Sequence, residues 1–163
     1  MLALRFAGLL AVAVWFGGLL ALGTIAAPSV FDVIDSRQIA EGRVLAGDLF
    51  GEILRRFQLV GYACGAALLL SLIARAVLGP RPRFFALRAG ITTLMLAAAV
   101  YSGTVLTGRI EALRHEIGVA PSTLAGDDPR RVEFRRLHER STGLQLVPLI
   151  GGLALLVGEL LDR

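Results

Sequence analysis

Four long apolar tracts constrain this chain more than any other feature of its sequence. They cover about residues 2–27, 57–78, 89–107 and 141–161. At about 1.5 Å of rise per helical residue, each is long enough to cross most or all of a hydrocarbon core roughly 30 Å thick. Backbone polar groups inside lipid must bond to one another, so such tracts have to be helical. The sequence therefore predicts an all-α integral membrane four-helix bundle, with residues 1–163 forming one domain.

The composition agrees with a multi-pass membrane protein and excludes a soluble core. Hydrophobic residues make up 55% of the chain, while charged residues make up 18% and are clustered. The bases are all arginine and lie near the ends of the apolar tracts, where they can meet anionic lipid. We therefore predict the lipid bilayer, and no nucleic acid, as a partner. The first tract is longer than a typical signal-peptide core, which favours a first membrane span in the cell membrane (inner or plasma membrane).

The charged residues predict amphipathic helical extensions that form a charged cap on one side of the bundle. We expect Ser29–Arg56 to be an amphipathic helix that runs into the second span. The third span is expected to continue to about Ile117, and a charged helix beginning at Pro129 to enter the fourth span. With four spans, the first and third connectors lie on the same side of the membrane. Arginine counts favour a cytoplasmic cap, whereas the bare arginines of the second connector favour the opposite, so the orientation stays open.

Short-range spacing predicts ion pairs and close helix contacts. Charged side chains of the cap recur near the start of the second span: Asp48, Glu52, Arg55 and Arg56. We expect them to form ion pairs that orient the cap. The alternative is a site for an anion or a lipid headgroup. Small residues let membrane helices approach closely. The glycines expected to do so are Gly17, Gly18, Gly47, Gly51, Gly61 and Gly65.

The strongest candidate site lies where the charged helix enters the fourth tract. His138, Ser141 and Gln145 share one helix face there, and Tyr101 of the third span joins the same predicted clamp. Polar groups at membrane depth are costly and often functional. One hypothesis is therefore a ligand or proton-handling site at the mouth of the bundle. The other is a clamp of hydrogen bonds between helices, each worth about 0.6–2 kcal/mol.

A metal- or haem-binding redox protein is the alternative hypothesis. Glu111 and His115 are one turn apart, and His138 is expected to lie near them on the neighbouring helix. Imidazole and carboxylate groups suit zinc, copper or iron, and haem needs an axial ligand. Cys64 is the single cysteine. No catalytic triad order, phosphate-binding glycine loop, HExxH or CxxC motif is present, so we predict neither enzymatic activity nor a cofactor.

The order of several short motifs resembles a known family. They are Trp15-Phe16-Gly17-Gly18, Ala27-Pro28 with Phe31, Ala46-Gly47 with Gly51, Arg55-Arg56-Phe57, and Phe134-x-x-Leu137-His138-x-x-Ser141. This ordered set resembles the transmembrane-protein-205-like family, whose bacterial members are filed as a domain of unknown function. The first span is more distantly similar to copper-resistance D-type membrane proteins. The resemblance implies a four-helix membrane protein without an assigned activity.

These observations favour a non-enzymatic multi-pass membrane protein. We expect it to bind a partner or a small solute at the polar cap. The abundant glycine and alanine faces also permit self-association, so the partner is either a second copy or another membrane protein.

Overall fold

The computed structural model describes residues 2–39, 41–79 and 81–160. Four long helices account for nearly all of this part of the chain: α1 is Leu2–Ser36, α2 is Gly42–Leu78, α3 is Phe85–Ile117 and α4 is Pro129–Leu160. They confirm the predicted all-α four-helix bundle. The predicted end of the fourth span, at residue 161, lies outside the described residues.

The helices form an up-and-down bundle in which neighbours in sequence are neighbours in space. α1 packs against α2 and α4, and α3 packs against the same two helices. Trp15 is the centre of the core, with 2% of its surface exposed. Its indole lies over Gly61 and Gly65 of α2, whose missing side chains leave room for the ring. The outward faces of all four helices carry large apolar side chains, as expected for surfaces that contact lipid.

Each helix is longer than a membrane is thick. A helix of 32–37 residues measures about 48–55 Å, against roughly 30 Å of hydrocarbon. The uncharged parts are 6–31, 57–74, 89–108 and 141–158. Most of the remaining turns carry charge and project from the same end of the bundle. We call these segments, 27–56 and 107–140, the cap, and the opposite end the base.

The structure corrects the predicted course of the first connector. Ser29–Arg56 is not one amphipathic helix, because α1 continues to Ser36 and the chain reverses over the turn that ends at Glu41. The first apolar tract was predicted to end at about residue 27, just before Pro28. Instead, a π-helical segment at Leu22–Ala26 comes just before it. A widened turn tolerates a proline that lacks a donor, and the Thr24 hydroxyl bonds the Leu20 carbonyl at 2.7 Å.

The cap therefore consists of two helical hairpins. The first joins the end of α1 to the start of α2, and Phe31 and Phe50 pack between them with ring centroids 6.4 Å apart. The second joins the end of α3 to the start of α4 through a loop that begins at Gly118, as predicted. Gly118 has φ of 68°, and its N–H bonds the Arg114 carbonyl, which closes α3. Asp128 caps α4, because its Oδ1 accepts the Arg130 N–H at 2.8 Å.

Candidate functional site

A buried hydrogen bond joins α3 and α4 just below the cap. The hydroxyl oxygens of Ser102 and Ser141 are 3.0 Å apart, and both residues are at least 93% buried. Ser141 belongs to the predicted clamp, whereas Ser102 was not singled out by the sequence analysis. A serine in an apolar tract carries little signal by itself, because its partner comes from a different helix.

Ser102 lies in a second π-helical segment, Tyr101–Leu106. A π turn shifts the backbone hydrogen bonds and is often found at functional sites. Side-chain hydroxyls bond the carbonyls of this region: Thr104 bonds Val100 at 2.7 Å, and Thr107 bonds Ser102 at 3.1 Å. The π segment thus remains hydrogen-bonded inside the apolar part of the bundle.

Gly103 allows α2 to approach the same segment. A Cβ at this position would collide with the Tyr62 hydroxyl and would lie 2.7 Å from Gln58 Oε1. Tyr62 in turn donates to the Ala99 carbonyl at 3.4 Å. Polar side chains from α2, α3 and α4 therefore meet at one depth in the bundle, directly beneath the cap. We call this region the buried polar level.

A small cavity opens at this level. Its volume is about 30 Å³, enough for one or two water molecules. The walls are mostly apolar, and the polar residues along them are Gln58, Ser102 and Gln145. Leu144 and Pro148 of α4 also line the cavity. Because proline has no N–H, Pro148 cannot donate the usual helical hydrogen bond to the Leu144 carbonyl. The site can therefore accommodate a small hydrogen-bonding molecule but not a drug-sized one.

The structure distributes the four residues of the predicted clamp over different surroundings. Ser141 is buried against Ser102, and Gln145 lines the cavity. Tyr101 is 49% exposed, and His138 is also exposed, with its ring stacked on Phe134 at a centroid distance of 6.1 Å. His138 therefore lies on the surface of the cap and does not contribute to the buried polar level.

The candidate metal ligands do not form a binding group. Glu111, His115 and His138 are all exposed. Within the described residues, no three histidine, cysteine or carboxylate side chains come together in a way that would hold a metal ion. The structure therefore gives no support to the alternative of a metal- or haem-binding redox protein.

The two cap hairpins are linked through Arg114 of α3. Its guanidinium donates to the Asp48 carboxylate at 2.5 Å and to the Val44 carbonyl at 3.2 Å, both on α2. Gly47 makes this approach possible, since a Cβ there would lie 2.9 Å from the guanidinium. Asp48 was predicted to form an ion pair within the cap, but Arg114 was not predicted as its partner.

Glu52, Arg55 and Arg56 form an ion-paired group on the surface of α2, within the cap. Arg55 binds Glu52 through two nitrogens at 2.7 and 2.8 Å, and Arg56 binds it at 2.7 Å. The hydrogen bonds from Arg55 and then Arg56 lower the pKa of this carboxyl group to about 2. The group is exposed, so it adds little to stability and serves to orient side chains.

The six glycines expected at helix contacts divide into two groups. Gly18 faces the Phe57 ring, Gly61 and Gly65 face Trp15, and Gly47 faces Arg114. A Cβ at Gly17 or Gly51 would meet no atom within 4 Å. Those two positions therefore present small surfaces to the outside of the bundle.

An arginine cluster at the base was missed by the sequence analysis. Glu159 of α4 accepts Arg88 of α3 at 2.6 Å, Arg5 of α1 at 2.6 Å and Arg75 of α2 at 3.4 Å. Arg88 and Arg5 also donate to the carbonyls of Gly158 and Glu159, at 2.8 and 3.0 Å. One carboxylate thus connects all four helices. In the sequence, these four residues are isolated charges, each at the edge of an apolar tract, and nothing in their spacing links them to one another.

This architecture is that of a multi-pass membrane protein with a charged cap. A family profile described as a domain of unknown function (DUF4149) matches residues 10–118, more than half of the chain. The chain belongs to this family. The match ends before α4, so Ser141 and Glu159 lie outside it. No curated protein and no solved structure matches the chain.

Proposed function

We propose that this protein is a non-enzymatic membrane component that binds a partner protein through its cap. The observation that carries the proposal is a pair of apolar side chains, Leu45 and Leu49, on the cap part of α2. They are one turn apart, 49% and 47% exposed. They precede Phe57, where the uncharged part of α2 begins, by about 18 and 12 Å of helix. They therefore lie beyond the predicted second span, where a protein surface rather than a lipid tail would cover them.

The charges around this pair favour a specific contact. The ion pairs of Arg114 with Asp48 and of Glu52 with Arg55 hold polar groups in fixed positions beside it. Electrostatic complementarity of this kind provides specificity and association rate more than affinity. The resemblance to the transmembrane-protein-205-like family is compatible with this class of function and names no cargo. We propose the cell membrane as the location.

The test is site-specific photocrosslinking in native membranes. A photoreactive residue at Leu45 or Leu49 is expected to give one discrete product with a second protein. The matched control is Val77, which is 76% exposed but lies at the base of α2. Recovery of self-crosslinks alone, or of the same product from Val77, would contradict partner binding at the cap.

We also propose that the cavity beneath the cap holds a small hydrogen-bonding solute, with water as the simplest occupant. The support is its volume of about 30 Å³ together with the amides of Gln58 and Gln145 along its wall. A high-resolution experimental structure tests this directly. Ordered density with two or more polar contacts is expected, whereas an empty cavity would refute the proposal.

The His138→Ala variant separates partner binding from the redox alternative. Because the His138 ring lies on the cap surface against Phe134, its removal is expected to change thermal stability little. The purified protein should show the same absorption spectrum and metal content before and after the substitution. Loss of bound metal or colour in the variant would restore the redox hypothesis.

A further inference from the structure

The base of the bundle is the electropositive end of the protein. The two cap segments, 27–56 and 107–140, contain eleven arginines and eleven acidic residues, so their formal charges cancel. Outside these two segments, residues 2–160 contain five arginines and one acidic residue, which gives the base a formal charge of +4. By formal charge, the base therefore attracts anionic ligands more than the cap does.

Two arginines of the short connector between α2 and α3 face outward. Arg81 and Arg83 are both exposed, whereas Arg88 turns inward to Glu159. In the described part of the chain, Arg81 and Arg83 make no ion pair with an acidic side chain. Both arginines are therefore accessible from outside the bundle.

Apolar side chains lie beside these arginines. Phe84 and Leu87 are 62% and 61% exposed, and Val77 at the end of α2 is 76% exposed. The Arg83 guanidinium lies 4.9 Å from the centre of the Phe84 ring, a cation–π contact. Phe84 has φ of 56°, a left-handed conformation that a bulky residue rarely adopts. The turn thus presents charge and an aromatic ring together at the edge of the lipid-facing surface.

We propose that this connector is a docking surface for the headgroup of an acidic phospholipid in the leaflet at the base. The ligand must offer a negative charge to Arg81 and Arg83. It must also offer a hydrocarbon chain to Phe84, Leu87 and Val77, which are exposed near the base ends of α2 and α3. An acidic phospholipid meets both requirements in one molecule, because its phosphate and acyl chains are joined at this depth.

Other occupants fit the surface less well. A free phosphate would satisfy the guanidinium groups but leave the apolar side chains uncovered. An acidic protein would have to displace the lipid that already covers the neighbouring helix faces. The proposal is independent of partner binding at the cap, since it concerns the opposite end of the molecule.

The experiment is native mass spectrometry of the full-length protein, titrated in mild detergent with phosphatidylglycerol or phosphatidylcholine. The wild type is expected to bind phosphatidylglycerol more tightly. The double variant Arg81→Gln/Arg83→Gln should lose roughly 25-fold in affinity for it, at about fivefold for each arginine near an anionic headgroup. Arg81→Lys/Arg83→Lys keeps the charge and should retain most of the preference.

The matched control is Arg135→Gln/Arg136→Gln, which removes two exposed arginines from the cap. It should leave the preference unchanged. Equal binding of the two lipids by the wild type, or an equal loss in the control, would overturn the proposal. So would competition by inorganic phosphate at the concentration of the lipid, because that would identify a site for soluble anions.

A second measurement uses the wild type alone, so it stands even if the glutamine variant fails to fold. Phosphatidylglycerol with a photoreactive headgroup is reconstituted with the protein, and the crosslinked peptides are mapped. Labelling is expected between residues 81 and 87. Labelling confined to the cap would refute the docking surface, and capture of an acidic protein at 81–87 in native membranes would replace the lipid by a protein partner.

Discussion

Replacing Glu159 by glutamine tests whether one carboxylate holds the four helices together at the base. The substitution keeps the size and shape of the side chain and removes its charge. Arg5, Arg75 and Arg88 would then face a neutral amide at distances of 2.6–3.4 Å. Because each arginine comes from a different helix, the loss weakens three helix contacts at once.

The magnitude follows from burial. The Glu159 side chain is 11% exposed and that of Arg88 is 7% exposed, so solvent screens this pair weakly. Removing one partner of a buried ion pair costs about 3–5 kcal/mol, since it leaves an uncompensated charge. For a chain of this size, 1 kcal/mol corresponds to roughly 2–4 °C in Tm, so a fall of about 6–20 °C is expected.

The assay is unfolding of the purified protein in mixed micelles of mild detergent and dodecyl sulfate, followed by circular dichroism. The matched control is Glu52→Gln, which also removes a carboxylate bound by two arginines. Those arginines are 54% and 76% exposed, so the control should change stability little. If the two variants lost equal stability, or if Glu159→Gln matched the wild type, the structural role of the arginine cluster would be wrong.

Three further predictions concern the buried polar level and the cap. In a double-mutant cycle, Ser102→Ala and Ser141→Ala should show a coupling energy of about 0.6–2 kcal/mol in the same unfolding assay, and additive effects would exclude the hydrogen bond. Gly103→Ala should destabilise the protein, and Tyr62→Phe should partly rescue it by removing the hydroxyl that the new Cβ meets; absence of rescue would contradict this contact. The hydrogen bonds from Arg130 lower the pKa of Asp128. The contribution of Asp128 to the free energy of unfolding is therefore complete above the ordinary aspartate pKa of about 3.9 and is lost as pH falls through the lower folded value. In a pH series of the unfolding assay, equal stability of Asp128→Asn and the wild type at neutral pH would refute this.

The short-range features of the cap were predictable because they depend on neighbouring residues. The spacing of Glu52 and Arg56 predicted their ion pair, and the start of α4 at Pro129 was predicted one residue after its cap, Asp128. The turn between α1 and α2 was not predicted. Pro28 suggested the end of a span, and only the π segment before it explains how the helix continues.

By itself, the sequence determined that this protein has four membrane-crossing helices with charge concentrated beyond one end. Hydropathy and helical length are local properties, so each span could be recognised without reference to the others. Two points remain predictions: the position of the membrane along each helix, and the organisation of residues 1–163 as one domain.

Only the tertiary structure decided which polar residues of different helices meet. Glu159 binds residues 71–154 positions away in the chain, and Ser141 binds one 39 positions away. Such pairs depend on the rotation and height of each helix in the bundle. Those quantities arise from packing around Trp15 and the glycines that admit it, and a linear pattern of charged and apolar residues does not contain them.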